Sequence, residues 1–360
     1  MEVVNTVENF APRVLAWFDL HGRKNLPWQK NKTPYRVWIS EIMLQQTQVA
    51  TVIPYYEKFM ESFPDVYALA NAKQDDVLAH WSGLGYYARA RNMHKAANML
   101  VDELDGEFPA SVEGVCELPG IGRSTASAIL SISRDVQAAI LDGNVKRVLA
   151  RFHAIATWPG EKKTENTMWD IAGYYMPNQR CGEYTQAMMD LGATLCTRSK
   201  PKCHECPLMD DCAGFATAEP TQFPISKPKK AAKPVKSAQF VVLKSSSKVL
   251  LEKRPASGIW GGLWSLPEFD SDASIILEAE QRFQCDTESV TVLSPFRHTF
   301  SHYHLDIAPS LISIANGVSF CVDESDKYRW FSMDESLELG LPAPVRRILE
   351  SVERGDTLLI

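Results

Sequence analysis

Leu118-Pro119-Gly120-Ile121-Gly122-Arg123-Ser124-Thr125-Ala126 is the stretch on which the reading of the fold turns. Two glycines behind a proline, ahead of a helix expected from about Ser124, make a tight turn between helices. Such a turn lets backbone come close to an anion, and the helix that follows offers unpaired N–H groups to it. Taken alone, the motif is a plain helix–helix turn. Its surroundings are helical from Phe10 to about Thr197, with apolar residues at three- and four-residue spacing, as in Val77, Leu78, Trp81 and Leu84. Asn71, Asp105-Gly106 and Pro119-Gly120 punctuate the run, and Thr33-Pro34 predicts an N-cap and first-turn proline opening a helix to about Val49.

Further out the texture changes. Pro224–Ser237 holds five lysines, three prolines and no acid, and reads as a semi-rigid basic linker. Beyond it, Gln239–Leu243, Lys248–Leu251 and the stretch around His302–Leu311 read as strands, and Ala273–Phe283 as a helix. At 360 residues the chain is long for one core. The expected division is a mostly α domain over 1–223, a linker over 224–237, and an α+β domain over 238–360. No apolar run approaches a membrane span and the first ten residues lack a signal-peptide pattern, so a cytoplasmic, nucleoid-associated location is expected. The net charge of −6 is unevenly spread. Residues 1–215 carry 22 Lys/Arg against 25 Asp/Glu, 216–237 carry 5 against 1, and 238–360 carry 11 against 18. Phosphate binding needs local basic clusters, so this balance neither favours nor excludes nucleic acid.

Three constellations carry chemistry. Cys196, Cys203, Cys206 and Cys212 fall within 17 residues at x6, x2 and x5 spacing. Four thiolates so close suit either a tetrahedral zinc or an iron–sulfur cluster. Cys116, Cys181, Cys285 and Cys321 are scattered and read as small buried residues. Arg198, Lys200 and Lys202 lie in the first cysteine loop, where they suit phosphate contact as well as a solvated face. Asp142, in Ile140-Leu141-Asp142-Gly143-Asn144, stands at an element boundary and by itself reads as an N-cap. Glu41, within Trp38-Ile39-Ser40-Glu41-Ile42-Met43-Leu44, has apolar neighbours on both sides. Desolvation there is expected to raise its pKa and fit it for general-acid work.

In this order these features resemble the helix-hairpin-helix DNA glycosylases, and within them the MutY family of adenine glycosylases. The likeness runs from about Val14 to the C-terminus. It is carried by SEIMLQQTQV (40–49), LPGIGRSTA (118–126), LDGNVKR (141–147), the cysteine spacing and FRHTFSH (296–302). It implies a 4Fe–4S cluster on the four cysteines. It implies Glu41 as the acid protonating a ring nitrogen of adenine, Asp142 as the carboxylate stabilising a cationic sugar, and Asn144 as its hydrogen-bond partner. Trp28 and Gln186 match the adenine pocket. Gln46, Leu84 and Tyr86 match side chains that wedge into the duplex, although helix-end packing would equally suit Leu84 and Tyr86. Gly120, Gly122, Lys146, Arg198 and Lys200 match backbone contacts. Endonuclease III-type relatives carry a nucleophilic lysine where this chain has Ser124, so the resemblance implies a monofunctional hydrolase.

Gly258-Ile259-Trp260-Gly261-Gly262-Leu263-Trp264-Ser265-Leu266-Pro267 resembles a Nudix module. A catalytic Nudix helix needs an Arg-Glu and then paired glutamates in the register where this chain has Ile276-Leu277 and Glu280-Gln281, so pyrophosphatase activity is not expected. In the family this domain reads 8-oxoguanine, and Phe300, Ser301 and His302 match the reading loop. The implied partner is double-stranded DNA with adenine opposite 8-oxoguanine or guanine, bound by a monomer.

Overall fold

The computed structural model describes residues 9–227, 232–314 and 327–356. Cys321 and part of the basic linker lie outside them. The helices are Phe10–His21 (α1), Pro34–Leu44 (α2), Val49–Ser62 (α3), Val66–Asn71 (α4), Gln74–His80 (α5), Ala88–Leu104 (α6), Val112–Cys116 (α7), Arg123–Arg134 (α8), Gly143–Phe152 (α9), Lys162–Tyr174 (α10), Cys181–Asp190 (α11), Ala213–Ala216 (α12), Ile275–Phe283 (α13), Met333–Glu338 (α14) and Ala343–Arg354 (α15). The strands are Val235–Ser245 (β1), Lys248–Lys253 (β2), Trp264–Ser265 (β3), Glu268–Asp270 (β4), Thr287–Val292 (β5), Phe296–Thr299 (β6), His304–Ile314 (β7) and Tyr328–Ser332 (β8).

By internal contact the chain forms two compact units, Met1–Asn71 with Asn92–Lys229, and Ala72–Arg91 with Lys230–Ile360. The first is all helical. Its core gathers Phe10, Val14 and Phe18 of α1, Val145, Val148, Leu149 and Phe152 of α9, and Tyr184, Ala187 and Met188 of α11. The expected hairpin is present: α7 and α8 flank a turn in which Gly120 has φ +79°. A Cβ on Gly120 would lie 2.7 Å from the Asn92 Cβ, so both backbone and space demand glycine there. Gly122 caps α8 at an ordinary φ of −93°, and a Cβ there would meet nothing within 4 Å. Leu118 and Ile121 turn inward and anchor the loop between them.

Thr33 caps α2 as expected, its hydroxyl accepting from the Arg36 N–H at 3.2 Å with Pro34 at the first helical position. The helix, however, stops at Leu44 rather than continuing to Val49. Gln46 adopts φ +58°, the Thr47 N–H turns back to the Leu44 carbonyl, and a new helix starts at Val49. A left-handed residue cannot continue a right-handed helix, and good helix formers around it hide the break from sequence patterning.

The second unit is a mixed eight-stranded sheet with the path β3-β2-β1-β7-β5, to which β4 adds on β1, β6 on β7 and β8 on β2. β1 and β7 run parallel over ten paired positions. Alternation along β1 sends Phe240 and Val242 to one face, with Val345, Ile348 and Leu349 of α15, and Val241 and Leu243 to the other, with Ala279 and Phe283 of α13. β1 begins at Val235, inside the stretch read as linker, because pairing with β7 recruits its last residues.

Segment 72–91 docks on this unit. Asp75 forms an ion pair with Lys253 and accepts from the Trp264 indole N–H at 3.3 Å. The Tyr87 hydroxyl donates to the Leu341 carbonyl at 2.9 Å.

Candidate active site

Glu41 and Asp142 come from different elements of the helical unit. Glu41 sits near the end of α2, which packs on α8 of the hairpin. Asp142 is the N-cap of α9, its Oδ1 accepting from the Val145 N–H at 2.8 Å and its Oδ2 from the Asn144 amide at 3.2 Å. Both side chains are half-buried and close enough for their charges to interact. Burial, with the Asp142 charge adding to it, pushes the Glu41 carboxyl up to about 8. Burial also raises Asp142, but its hydrogen bonds from Val145 and Asn144, with the Arg147 charge, pull the other way. The pair is thus differentiated: Glu41 holds a proton at neutral pH, whereas Asp142 has donors aimed at its anionic form.

Ser124 and Asn144 hold this arrangement together with Arg147, Gly192 and Arg151, which the sequence reading did not single out. The Ser124 hydroxyl accepts from the Leu141 N–H at 3.0 Å, which fastens the chain just before Asp142. The Asn144 side-chain oxygen Oδ1 accepts from Arg147 at 2.8 Å, and the same guanidinium donates to the backbone carbonyls of Gly192 and Cys196, each at 2.7 Å. Gly192 lies in a π-helical turn, Leu191–Leu195, and a Cβ there would stand 2.6 Å from the Asn144 Cβ. Arg151, only 2% exposed, donates to the carbonyls of Cys196, Thr197, Arg198 and Phe223 and to the Cys196 sulfur at 3.3 Å. Only the arginine spacing of four on α9 could have hinted at this, since the acceptors other than Asn144 and Gly143 lie 45 to 72 residues away.

Trp28 is buried in a short 3₁₀ turn, edge-on to Tyr56 at 5.5 Å between centroids. Gln186, buried on α11, donates its amide N–H to Asp190 at 2.9 Å, which points its carbonyl oxygen the other way. Asp190 is fully buried and also accepts from the backbone N–H and guanidinium of Arg23. Gln29 donates to the Arg23 carbonyl at 2.7 Å, so hydrogen bonds tie the Trp28 turn to the Gln186 helix.

Lys146 is engaged with Glu165 at 2.8 Å, while Arg198 and Lys200 are exposed. Gln46 is exposed at its left-handed turn. In the other unit, Leu84 is buried and Tyr86 is 53% exposed at φ +48°. Ser301 and His302 are exposed, and Phe300 is half-buried among Trp260, His298 and Tyr303.

Cys196, Cys203, Cys206 and Cys212 line one cavity of about 30 Å³, closed by Val148, Leu191, Leu195 and Leu208. Four thiols around one apolar cavity, with an arginine N–H on a sulfur, suit a thiolate-bound metal or iron–sulfur group. Among the described residues no helix is long and apolar enough to cross a membrane.

Three family signatures match the chain. Residues 39–173 match the HhH-GPD superfamily base excision DNA repair protein, 196–212 the iron–sulfur binding domain of endonuclease III, and 238–351 the NUDIX domain. An adenine DNA glycosylase of Buchnera aphidicola subsp. Schizaphis graminum is 40% identical over 346 residues, 96% of this chain and 99% of that protein. The Rattus norvegicus adenine DNA glycosylase is 31% identical, over 96% of this chain and 78% of its own. A solved thermostable thymine-DNA glycosylase shares the helical fold, with TM-score 0.53 and 23% identity over 58% of this chain and 95% of that one. The four cysteines therefore hold a 4Fe–4S cluster, and the chain belongs to the adenine DNA glycosylase family of helix-hairpin-helix base-excision repair enzymes.

Proposed function

We propose that this protein hydrolyses the N-glycosidic bond of adenine mispaired with 8-oxoguanine or guanine, without cutting the strand. The observation that carries the reading is the differentiated carboxyl pair, Glu41 protonated at neutral pH and Asp142 held by N–H donors. Glu41 donates its proton to a ring nitrogen of the flipped adenine, and the glycosidic electron pair leaves with the base. Asp142 stabilises the cationic sugar, and water adds to it, its released proton returning to a carboxylate. The Gln186 carbonyl and the Trp28 ring supply an acceptor and an apolar wall for the base. Gly122 at open space, with exposed Arg198 and Lys200, offers contacts to backbone phosphates. The cluster, held by Cys196, Cys203, Cys206 and Cys212, serves as a cross-link that shapes this loop. The exposed Gln46 and Tyr86 fill the gap in the duplex, with buried Leu84 supporting the Tyr86 hairpin from within, and Phe300, Ser301 and His302 read the opposite base. Lys146 lies on α9 but is bound to Glu165, and Ser124, whose hydroxyl holds Leu141, offers no amine. Both facts support water rather than a lysine as nucleophile.

The test is a single-turnover assay on duplexes with adenine opposite 8-oxoguanine or guanine, beside thymine-glycol and undamaged controls. Adenine release with strand breaks mainly after alkali is the expected result. Breaks without alkali, or release of thymine glycol, would assign the chain to the lyase group instead.

A further inference from the structure

Loop Gly258–Gly262 is unusual in its backbone. Gly258 and Gly262 take φ +89° and +75°, and between them Trp260, a bulky residue, takes +56°. A tryptophan is held in the left-handed region only where its surroundings over-determine it. Here they do so on two sides. The Trp260 ring lies 5.2 Å from Phe300 and 5.7 Å from His298, between the centroids, and Arg254 stands over it at 5.8 Å. Phe300 is further fixed by stacking on Tyr303 at 4.6 Å and by its N–H to the Tyr303 carbonyl. On the other side, the Gly261 carbonyl next to Trp260 accepts from Arg91 on the first turn of α6.

The same turn of α6 builds the Tyr86 hairpin. Arg89 donates to the carbonyls of Leu84 and Gly85, at 3.1 and 3.2 Å, and lies over the rings of Trp81 and Tyr86. Trp81, fully buried, donates its indole N–H to the Gly85 carbonyl. The hairpin is also pinned below by Tyr87 on Leu341, and a Cβ on Gly262 would approach Leu78 and Arg91 of the same segment. The two sets of contacts, Tyr86 with Arg89 and Arg91 with Gly261 beside Trp260 and Phe300, are joined by the backbone of the first turn of α6, and all lie within one compact unit.

We infer that loop Gly258–Gly262 keeps the Tyr86 hairpin and the Phe300–His302 loop in fixed register, which makes Trp260 a positioning residue for discrimination of the base opposite adenine. The inference rests on the proposed roles of Tyr86 as wedge and of Phe300–His302 as reading loop. Its physical content is that two elements touching DNA at different points share one rigid support. A lesion edge engaged by Ser301 and His302 then presents the duplex to Tyr86 in one position, whereas a guanine that engages the loop poorly does not.

The test uses the full-length, cluster-loaded protein with Trp260→Ala, Trp260→Phe and Tyr87→Phe. Ala and Phe bear the same left-handed backbone, so their difference isolates the ring. Two readouts are taken: the ratio of single-turnover rate constants for adenine opposite 8-oxoguanine and opposite guanine, and the fluorescence of 2-aminopurine placed beside the opposite base. Loss of one aromatic contact should lower the ratio about five-fold in Trp260→Ala and weaken the 2-aminopurine response, with Trp260→Phe restoring both. Tyr87→Phe, which keeps the buried ring and removes the hydroxyl that bonds the Leu341 carbonyl and the Gly83 N–H, should shift the 2-aminopurine response in the same direction. Tyr86→Ala and Ser301→Ala are the reference. If those two disturb the readouts and Trp260→Ala and Tyr87→Phe leave them at parental values, the coupling is overturned while the reading beneath it stands. If Tyr86→Ala and Ser301→Ala themselves change nothing, the reading falls and the coupling falls with it.

Discussion

Glu41→Gln should stabilise the protein, and more so as pH rises. The Glu41 carboxyl is pushed from 4.5 to about 8 by burial and by the Asp142 charge. A group whose folded pKa is raised contributes its stability in full below the unfolded value and loses it as pH climbs toward the folded one. The window is therefore pH 4.5 to 8. Integrating over it, the carboxyl is destabilising relative to a neutral isostere by about 1 kcal/mol at pH 5 and about 3 kcal/mol at pH 7. Glutamine is that isostere and has no proton to lose. The variant's advantage should grow by about 2 kcal/mol between pH 5 and 7, or roughly 4–8 °C in thermal midpoint for a unit of this size. The assay is unfolding of cluster-loaded parent and variant at matched scan rates across that range. An advantage that is constant with pH, or that shrinks as pH rises, would refute the assignment of a desolvated, protonated Glu41.

The same carboxyl should govern the reaction: single-turnover adenine release should hold level near neutrality and fall as pH rises through about 8. A rate that climbs over that range would place the essential proton elsewhere. Arg151→Met removes five hydrogen bonds made by a buried guanidinium, among them those to the Thr197, Arg198 and Phe223 carbonyls, at a cost of about 3 kcal/mol or more. Iron content and thermal midpoint should both drop, and parental values of both would contradict the role. Gly120→Ala should cost about 1–3 kcal/mol through its φ and the Asn92 contact. Gly122→Ala should change stability by only about 0.5 kcal/mol yet weaken duplex binding. Parental affinity in Gly122→Ala would remove that turn from the DNA interface.

Much of this was legible in the chain. The Leu118–Ala126 turn, the helix opening at Thr33-Pro34 and the cysteine spacing are local signals, and local sequence determines each of them. Glu41 among apolar neighbours announced a raised pKa that the packing of α2 produces. What escaped notice depends on distant partners. Arg147, Arg151 and Asp190 look like ordinary charged residues of helices, and their function comes from carbonyls and side chains far along the sequence. The end of α2 escaped because a left-handed glutamine leaves no mark in composition. Leu84 and Tyr86 read alike in sequence, and only packing separates a buried side chain from an exposed one. The grouping of 72–91 with the C-terminal residues was equally hidden, since it rests on Tyr87 meeting Leu341 and Asp75 meeting Lys253. Zinc and an iron–sulfur cluster could not be told apart by spacing, because both take four thiolates.

The central claim is that a protonated Glu41 drives departure of the base. It is tested most directly by measuring duplex affinity and single-turnover adenine release for Glu41→Gln beside the parent, with adenine opposite 8-oxoguanine. The expected result is affinity close to the parent's and a release rate lowered on the order of a hundred-fold or more, the usual scale of a lost general acid. A variant that binds poorly but, at saturating protein, releases adenine at the parental rate would contradict the claim.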